Sequence, residues 1–556
     1  MSGRSFALGI AALLIVRMCL TAHAPSFVDA HVCLAALALS LVAGAPRAAQ
    51  IAAALLTLGV VTSIPTSYDP WVSLLALPAI VGPVAFLLLA SSGSCREGLL
   101  VAAGLGGAVN AVAVLVQKTI TWPDALARMD EIGLNAAHAA RLAEARPIGL
   151  SLSPDLAGGL CLAGAFCAAA LAFDVAQRAQ RAQLLVLVAT TALCAAGLVV
   201  VRSFGCALAL VVGVTVATLL LGARRSSARA ATLGLSGLLM AALSLAVALM
   251  MRGIDALHRS ADERSENWRA ALDVFAEAPL FGVGLMRFGA AYLQVRAPEM
   301  NVTRYAHSGP LQLLAETGLL GGLLAAAALV VVARALWQRR SSLLPSDCVL
   351  AGGAAACLLR ACIDYDLQIA QSASVFAVLI GLLIARADPA PAAPMQRRVL
   401  AAVTLLTLPL VVVLGLRQGI MESADAVALD AYIDKLPLDA EPRIARGAQA
   451  VDALVVCSDH ESCVAARTSA FAALDPLCAR RQPQPVALVL RARAYATIGH
   501  LEQALNDADR ALQVDRGSPT AHQLGVSLAQ ALQRNDVDAR IAAARAWHVS
   551  LEEAAR

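Results

Sequence analysis

Charge is what this chain lacks most. Only 15% of its 556 residues are Asp, Glu, Lys or Arg, while 59% are hydrophobic, and the mean hydropathy is +0.71. Soluble globular domains are about a quarter charged. A second absence sharpens the first. Apolar runs of about 20 residues, the length that crosses a bilayer core, recur from the N-terminus to about position 416 and carry no polar face. That excludes a large soluble helical protein and makes roughly three quarters of the chain a polytopic membrane protein. Lysine is nearly missing: Lys118 and Lys435 stand alone, so every other basic residue is arginine. High-GC coding produces such a bias, and arginine is also the side chain best shaped to hold phosphate in a fork. The small net charge of +4 gives no ground for a nucleic-acid partner.

Two further absences narrow the function. No internal repeat relates two halves of the apolar region, and within the spans only Arg17, Asp155 and Arg360 stand out as ionisable. Transporters use such groups near span midpoints and are commonly built from symmetric halves, so a lipid or glycan transporter is the weaker reading. A mere membrane anchor needs only one or two spans. Cysteine, by contrast, is plentiful. Of 13, Cys161, Cys167, Cys194, Cys206 and Cys357 lie in apolar runs as small packing residues, while Cys457, Cys463 and Cys478 lie in the polar C-terminal part. With His460 the latter suggest zinc, but the spacing is not a standard one. In an oxidising compartment a Cys457–Cys463 disulfide is the favoured reading.

Apolar runs lie near 5–22, 30–44, 48–65, 71–90, 97–117, 149–173, 183–201, 204–222, 230–251, 311–333, 345–363, 370–385 and 399–416. The short connections between them sort by charge. One set holds Arg4, Arg47, Arg96, Arg178 with Arg181, Arg224 with Arg225 and Arg229, Arg334 with Arg339 and Arg340, and Arg386 with Arg397 and Arg398; the loops 21–30 and 65–70 hold no Lys or Arg. The positive-inside rule puts the first set, with the N-terminus, in the cytoplasm. Loops 118–147 and 252–310, and everything after 417, are then outside. Arg4, the first apolar run and Ala22-His-Ala24 look like a signal peptide, but Arg17 interrupts the run and favours an uncleaved helix. The expected architecture is all-α: a membrane bundle of about thirteen spans over 1–416, with 252–310 as a large outer loop, and a helical domain over 417–556. In that tail, Ala494-Tyr-Ala-Thr-Ile-Gly499 followed by small residues at Ala504, Ala508 and Ala511 resembles one tetratricopeptide repeat, with neighbours expected near 440–475 and 519–552. An ordinary helical hairpin has the same pattern.

The outer loop concentrates the chemistry. Arg264 and Trp268 are four residues apart and share a helix face. Pro279 and Gly282-Val-Gly284 end that helix. Arg269, Arg287, Arg296 and Arg304 are balanced by nearby carboxylates, so most of them read as a solvated surface. His307 differs. It sits a few residues before an apolar helix, at the membrane boundary, and can exchange a proton near neutral pH. Glu316 lies just inside that helix, where an ionisable group needs a partner.

The order Arg264, Trp268, Pro279, Gly282, Gly284, His307, Leu311, Gln312, Glu316, Gly318 resembles the signature of the O-antigen ligase and polymerase superfamily. Arg202-Ser203-Phe-Gly205 is similar to the family's outer Ser-Arg-Gly element. Ser153-Pro154-Asp155 departs from its Pro-Asn element, Ser308 replaces the usual asparagine after the histidine, and Asp364-Tyr365-Asp366-Leu367 is similar to its late Asp-x-x-Leu turn. The resemblance spans roughly residues 100–385. It implies a metal-independent glycosyltransferase of the C-type membrane architecture that needs no cofactor. It implies a bacterial inner-membrane location and a donor glycan on undecaprenyl diphosphate at the periplasmic face. His307 is then the base for the acceptor hydroxyl. Arg202 and Arg264 hold the diphosphate, with Arg287, Trp268 and Glu316 as further substrate contacts. The acceptor is the lipid A core, a protein Ser or Thr, or, in a polymerase, a growing glycan. The tail is a candidate surface for a periplasmic protein partner.

Overall fold

The computed structural model describes residues 3–19, 26–41, 44–93, 95–129, 146–222, 254–298, 300–385, 393–480 and 482–549. Its described residues are helical, with no strand among them. Eight helices are long and apolar enough to cross a membrane, and four shorter apolar helices accompany them. This is an all-α, multi-pass membrane protein. Twelve of the thirteen apolar runs coincide with described helices. The run 230–251, the loop from 130 to 145, the Ala22–Ala24 signal and Arg224, Arg225, Arg229 and Arg386 fall outside the described residues.

Packing follows from small residues. With lipid on one side, helices gain little from hydrophobicity and associate where backbones approach closely. Phe204–Gly222 meets Pro345–Ile363 at Gly213 and Gly352, where a Cβ on Gly213 would lie 2.7 Å from the Gly352 carbonyl oxygen. Gly107 and Gly164 make the same approach between Arg96–Val116 and Pro154–Gln177. The latter helix is central, whereas Arg181–Val201 turns apolar side chains such as Leu185 outward.

Ion pairs tie together ends that the charge pattern had assigned to one side. Arg96 binds Asp347 at 2.7 Å, and Arg178 binds Glu97 at 2.6 Å. At the opposite end the 65–70 turn, the 254–308 segment, the His307 region and the C-terminal tail all meet. Ser73 Oγ donates to the Leu285 carbonyl (3.0 Å), and Arg480 pairs with Asp69 (2.7 Å).

Three details depart from the sequence reading. The run 71–90 is two helices, Pro70–Leu75 and Leu77–Ser91. The run 97–117 continues through a π-turn to Ala127. The last membrane helix, Pro394–Ser423, extends past position 416, so the first separate tail helix is Ala426–Lys435. The tail then forms hairpins from Ala440–Val456, His460–Cys478, Pro485–Thr497, Leu501–Val514, Pro519–Ala531 and Val537–Ala546. Gly499 takes φ +81° at one turn, and Ala504, Ala508 and Ala511 are fully buried beside it, as close helix packing requires. Cys457 and Cys463 form the disulfide, and Cys478 is a buried free thiol.

Candidate active site

The Pro279–Gly284 turn and the Gln312–Gly318 stretch are two halves of one backbone joint. The Gly309–Arg339 helix breaks at Gly318 (φ 66°, ψ −169°), inside the run 311–333 that the sequence presents as one span. The break frees carbonyls and amides that must be satisfied, and the turn satisfies them. Val283 N–H donates to Ala315 O and Gly284 N–H to Glu316 O, both at 3.0 Å; in return Leu319 N–H reaches Pro279 O at 2.8 Å and Leu320 N–H reaches Leu280 O at 3.2 Å. Gly282 and Gly318 both have left-handed φ, and a Cβ on either would come within 2.4 Å of the other segment's backbone. Only glycine fits both positions.

Glu316 is buried beside this joint. Its Oε1 accepts from Gln312 Nε2 (3.0 Å) and from the Phe288 amide (3.3 Å), and Gln312 Oε1 accepts from the Ala306 amide (2.9 Å). Glu316 and Gln312 thus fix two points of the outer loop, at Phe288 and at Ala306, the residue before His307.

His307 has left-handed backbone (φ 52°), a costly conformation for a residue with a Cβ and one that concentrates at functional sites. Its carbonyl accepts from Trp268 Nε1 at 2.9 Å. Its Nδ1 lies 3.1 Å from Asp364 Oδ1, and its ring meets Tyr365 edge-on at 4.8 Å. An ionised carboxylate accepts only, so Nδ1 carries the proton and Nε2 presents its lone pair. The imidazole is one quarter exposed while Asp364 is 1% exposed. Asp364, not Ser308, therefore orients the ring.

Asp364 anchors a larger cluster. Arg360 Nη2 lies 3.2 Å from its Oδ2, and Arg264 Nη2 lies 3.9 Å away. Arg264 also donates through Nε to the Ile363 carbonyl (3.0 Å) and through Nη1 to Ser260. Burial alone would raise the Asp364 carboxyl; the Arg360 charge and the His307 hydrogen bond outweigh it and hold the group below its ordinary value. Arg360 further contacts Asp366 (3.0 Å) and the Asp155 carbonyl (2.9 Å). Burial, reinforced by neighbouring Asp364, raises Asp366 to about 6 against the pull of Arg360.

The Asp155 carboxylate accepts from Arg146 through two bonds (3.3 and 3.2 Å) and from Ser203 Oγ. Ser203 follows Arg202, which closes its helix in left-handed backbone (φ 52°). Among the described residues the Arg202 guanidinium makes no hydrogen bond or ion pair. Arg287 lies apart, at the start of the short helix Phe288–Val295. Burial draws its guanidinium below the ordinary value, with Arg480 adding to the drop and Asp69 and Glu316 opposing it.

The structure thus joins Trp268 to His307 directly, brings Arg264 to His307 through the shared Asp364 carboxylate, links Arg202 through Ser203, Asp155 and Arg360, and sets Arg287 and Glu316 near the joint. Sequence reasoning gave no role to Asp364 or Arg360. Their i,i+4 spacing at the end of the Pro345–Ile363 helix was the available signal.

Residues 189–326 match the family model described as O-antigen ligase. The match takes in Arg202, Arg264, Trp268, the turn at 279–284, Arg287, His307 and Glu316, and supports the superfamily that the motifs resemble. Asp155, Arg360 and Asp364 lie outside it. No curated protein matches the chain.

Proposed function

We propose, on the premise of the O-antigen ligase family match, that this membrane protein moves a glycan from undecaprenyl diphosphate to an acceptor hydroxyl at the periplasmic face of the bacterial inner membrane. The observation that carries this reading is the His307 imidazole held on the buried Asp364 carboxylate, with Arg264 and Arg360 on the same carboxylate. That arrangement leaves Nε2 free to take a proton while arginines supply positive charge beside it.

The step is a single displacement. The acceptor oxygen attacks the anomeric carbon, the bond from that carbon to the diphosphate oxygen breaks, and the hydroxyl proton passes to His307 Nε2. The pair of electrons leaves on the diphosphate, whose growing charge Arg202 and Arg264 neutralise through forked, charge-assisted bonds, with Arg287 as a further cation. Cationic side chains serve where other transferases use a metal ion. The anomeric configuration inverts. Trp268 positions His307 through its carbonyl, and Glu316 holds the joint beneath the site. The membrane part, which runs to the end of the Pro394–Ser423 helix, carries the site, and the tail beyond it lies on the same side as loop 252–310.

The acceptor is the lipid A core or a protein Ser or Thr; the alternative is a polymerase that extends the lipid-linked glycan. The test is transfer in membranes of a host supplied with lipid-linked glycan, with lipid A-core and protein fractions blotted separately for wild type, His307→Ala and Arg264→Ala at matched expression. Glycan on one fraction that vanishes in both variants supports the reading and names the acceptor. Longer lipid-linked chains alone make the protein a polymerase. Full transfer in both variants refutes the site.

A further inference from the structure

The C-terminal tail grips the closing end of the short helix that follows the glycine turn, and it also holds the Asp69 loop packed on that turn. Phe288–Val295 begins at Arg287 and closes at Arg296. At the closing end, the 7% exposed Arg296 places Nη2 3.4 Å from Asp515 and lies 4.9 Å over the ring of Trp547. Gly517 makes room for this contact, since a Cβ there would strike Arg296 Nη2. Two residues earlier Gln294 Nε2 donates to Gln482 Oε1 at 3.1 Å. Near the opening end, Arg480 of the tail holds Asp69 at 2.7 Å, and the adjacent Tyr68 amide donates to the Val283 carbonyl of the glycine turn at 2.9 Å.

The same helix is linked to the histidine indirectly, through Asn267 and Trp268. The buried Tyr292 hydroxyl donates to the Asn301 carbonyl (2.8 Å) and lies 3.1 Å from the Asn267 side-chain amide. Asn267 precedes Trp268, whose indole holds the His307 carbonyl. Four residues after Tyr292 comes Arg296, whose amide donates to the Tyr292 carbonyl at 2.9 Å.

We propose that the tail is a latch on the outer loop: Arg296, clamped by Asp515 and Trp547, is a positioning residue that sets Phe288–Val295 and so holds Arg287 and His307 in place for the donor diphosphate. The proposal rests on the transferase reading for its substrate. A buried ion pair contributes little net stability, but removing one partner strands the other charge and is strongly felt. A reversed pair restores the balance, which separates positioning from bulk.

The experiment uses the full chain in lipid nanodiscs. Arg296→Asp and Asp515→Arg are compared singly and combined, with initial rates against a lipid-linked glycan donor and hydrogen exchange over residues 285–296. Each single reversal is expected to raise KM for the donor about tenfold through Arg287, to lower kcat several-fold through His307, and to speed exchange in that segment. The combined reversal is expected to recover all three. Single variants whose segment exchanges faster at unchanged KM would overturn the role in positioning, and unchanged exchange in both would overturn the latch itself. Absence of transfer by the wild type would overturn the transferase reading alone. The latch is then decided by exchange.

Discussion

The ion pairs behind His307 and those on the tail surface use the same residue types under opposite conditions. Arg360 and Asp364 are each 1% exposed and 3.2 Å apart. On the tail, Arg493 and Asp452 are 45% and 72% exposed at 3.7 Å, and Arg534 and Glu502 are 48% and 65% exposed at 3.8 Å. Exposed pairs are screened and contribute about 0–1 kcal/mol. Buried ones cost desolvation, so their value lies in fixing geometry. The chain thus concentrates its scarce charge where orientation matters. The tail follows that rule where it meets the loop: Arg296 and Asp69 are nearly buried there.

The largest break in the comparison comes at the exposed edge of the buried cluster. His307→Ala and Arg264→Ala are each expected to lower transfer by at least about 10²-fold with the folded protein retained, as read by initial rates at matched protein levels. Next is the joint that carries the cluster. Gly318→Ala places a Cβ against Leu280 in left-handed backbone, a conformation that alone costs about 1–3 kcal/mol; its thermal midpoint in detergent should fall and its yield with it. Asp364→Asn keeps the side-chain size but removes the charge that orients His307 and balances Arg360. Turnover should fall roughly 10–100-fold with less loss of stability than Gly318→Ala.

A pH series sharpens the contrast more finely. Asp366 is raised from 3.8 to about 6, so the folded state holds its proton more tightly than the unfolded chain. Its contribution to stability is therefore highest below about pH 4 and is lost as pH rises to about 6. The stability of wild type relative to Asp366→Asn should decline across that window; a rise would reverse the sign. Smallest of all, Arg493→Ala and Arg534→Ala should change stability by less than about 0.5 kcal/mol and leave transfer unaltered.

Composition made the membrane bundle legible, because a 20-residue apolar run without a polar face has few other uses. The face shared by Arg264 and Trp268 was also legible, being local helix geometry. What the sequence hid was non-local. Gly282 and Gly318 each looked like ordinary punctuation, and only the packing of Gly282 on Glu316 and Thr317 and of Gly318 on Leu280 and Phe281 shows why each must be glycine. His307 and Asp364 are 57 positions apart and meet because two helices end side by side. Arg360 looked like an isolated charge inside a span but lies at its end, bound to Asp364 and Asp366. The tail's grip on Arg296 leaves no local pattern, since Asp515 and Trp547 arrive from separate hairpins.

The division of labour between histidine and arginines is tested most directly by single-turnover transfer on purified His307→Ala, with binding of the lipid-linked donor measured on the same sample. The account predicts that donor binding stays within about threefold of wild type while the rate from bound donor falls by at least about 10²-fold. Lost donor binding with an unchanged rate per bound donor would contradict it and make His307 a binding residue.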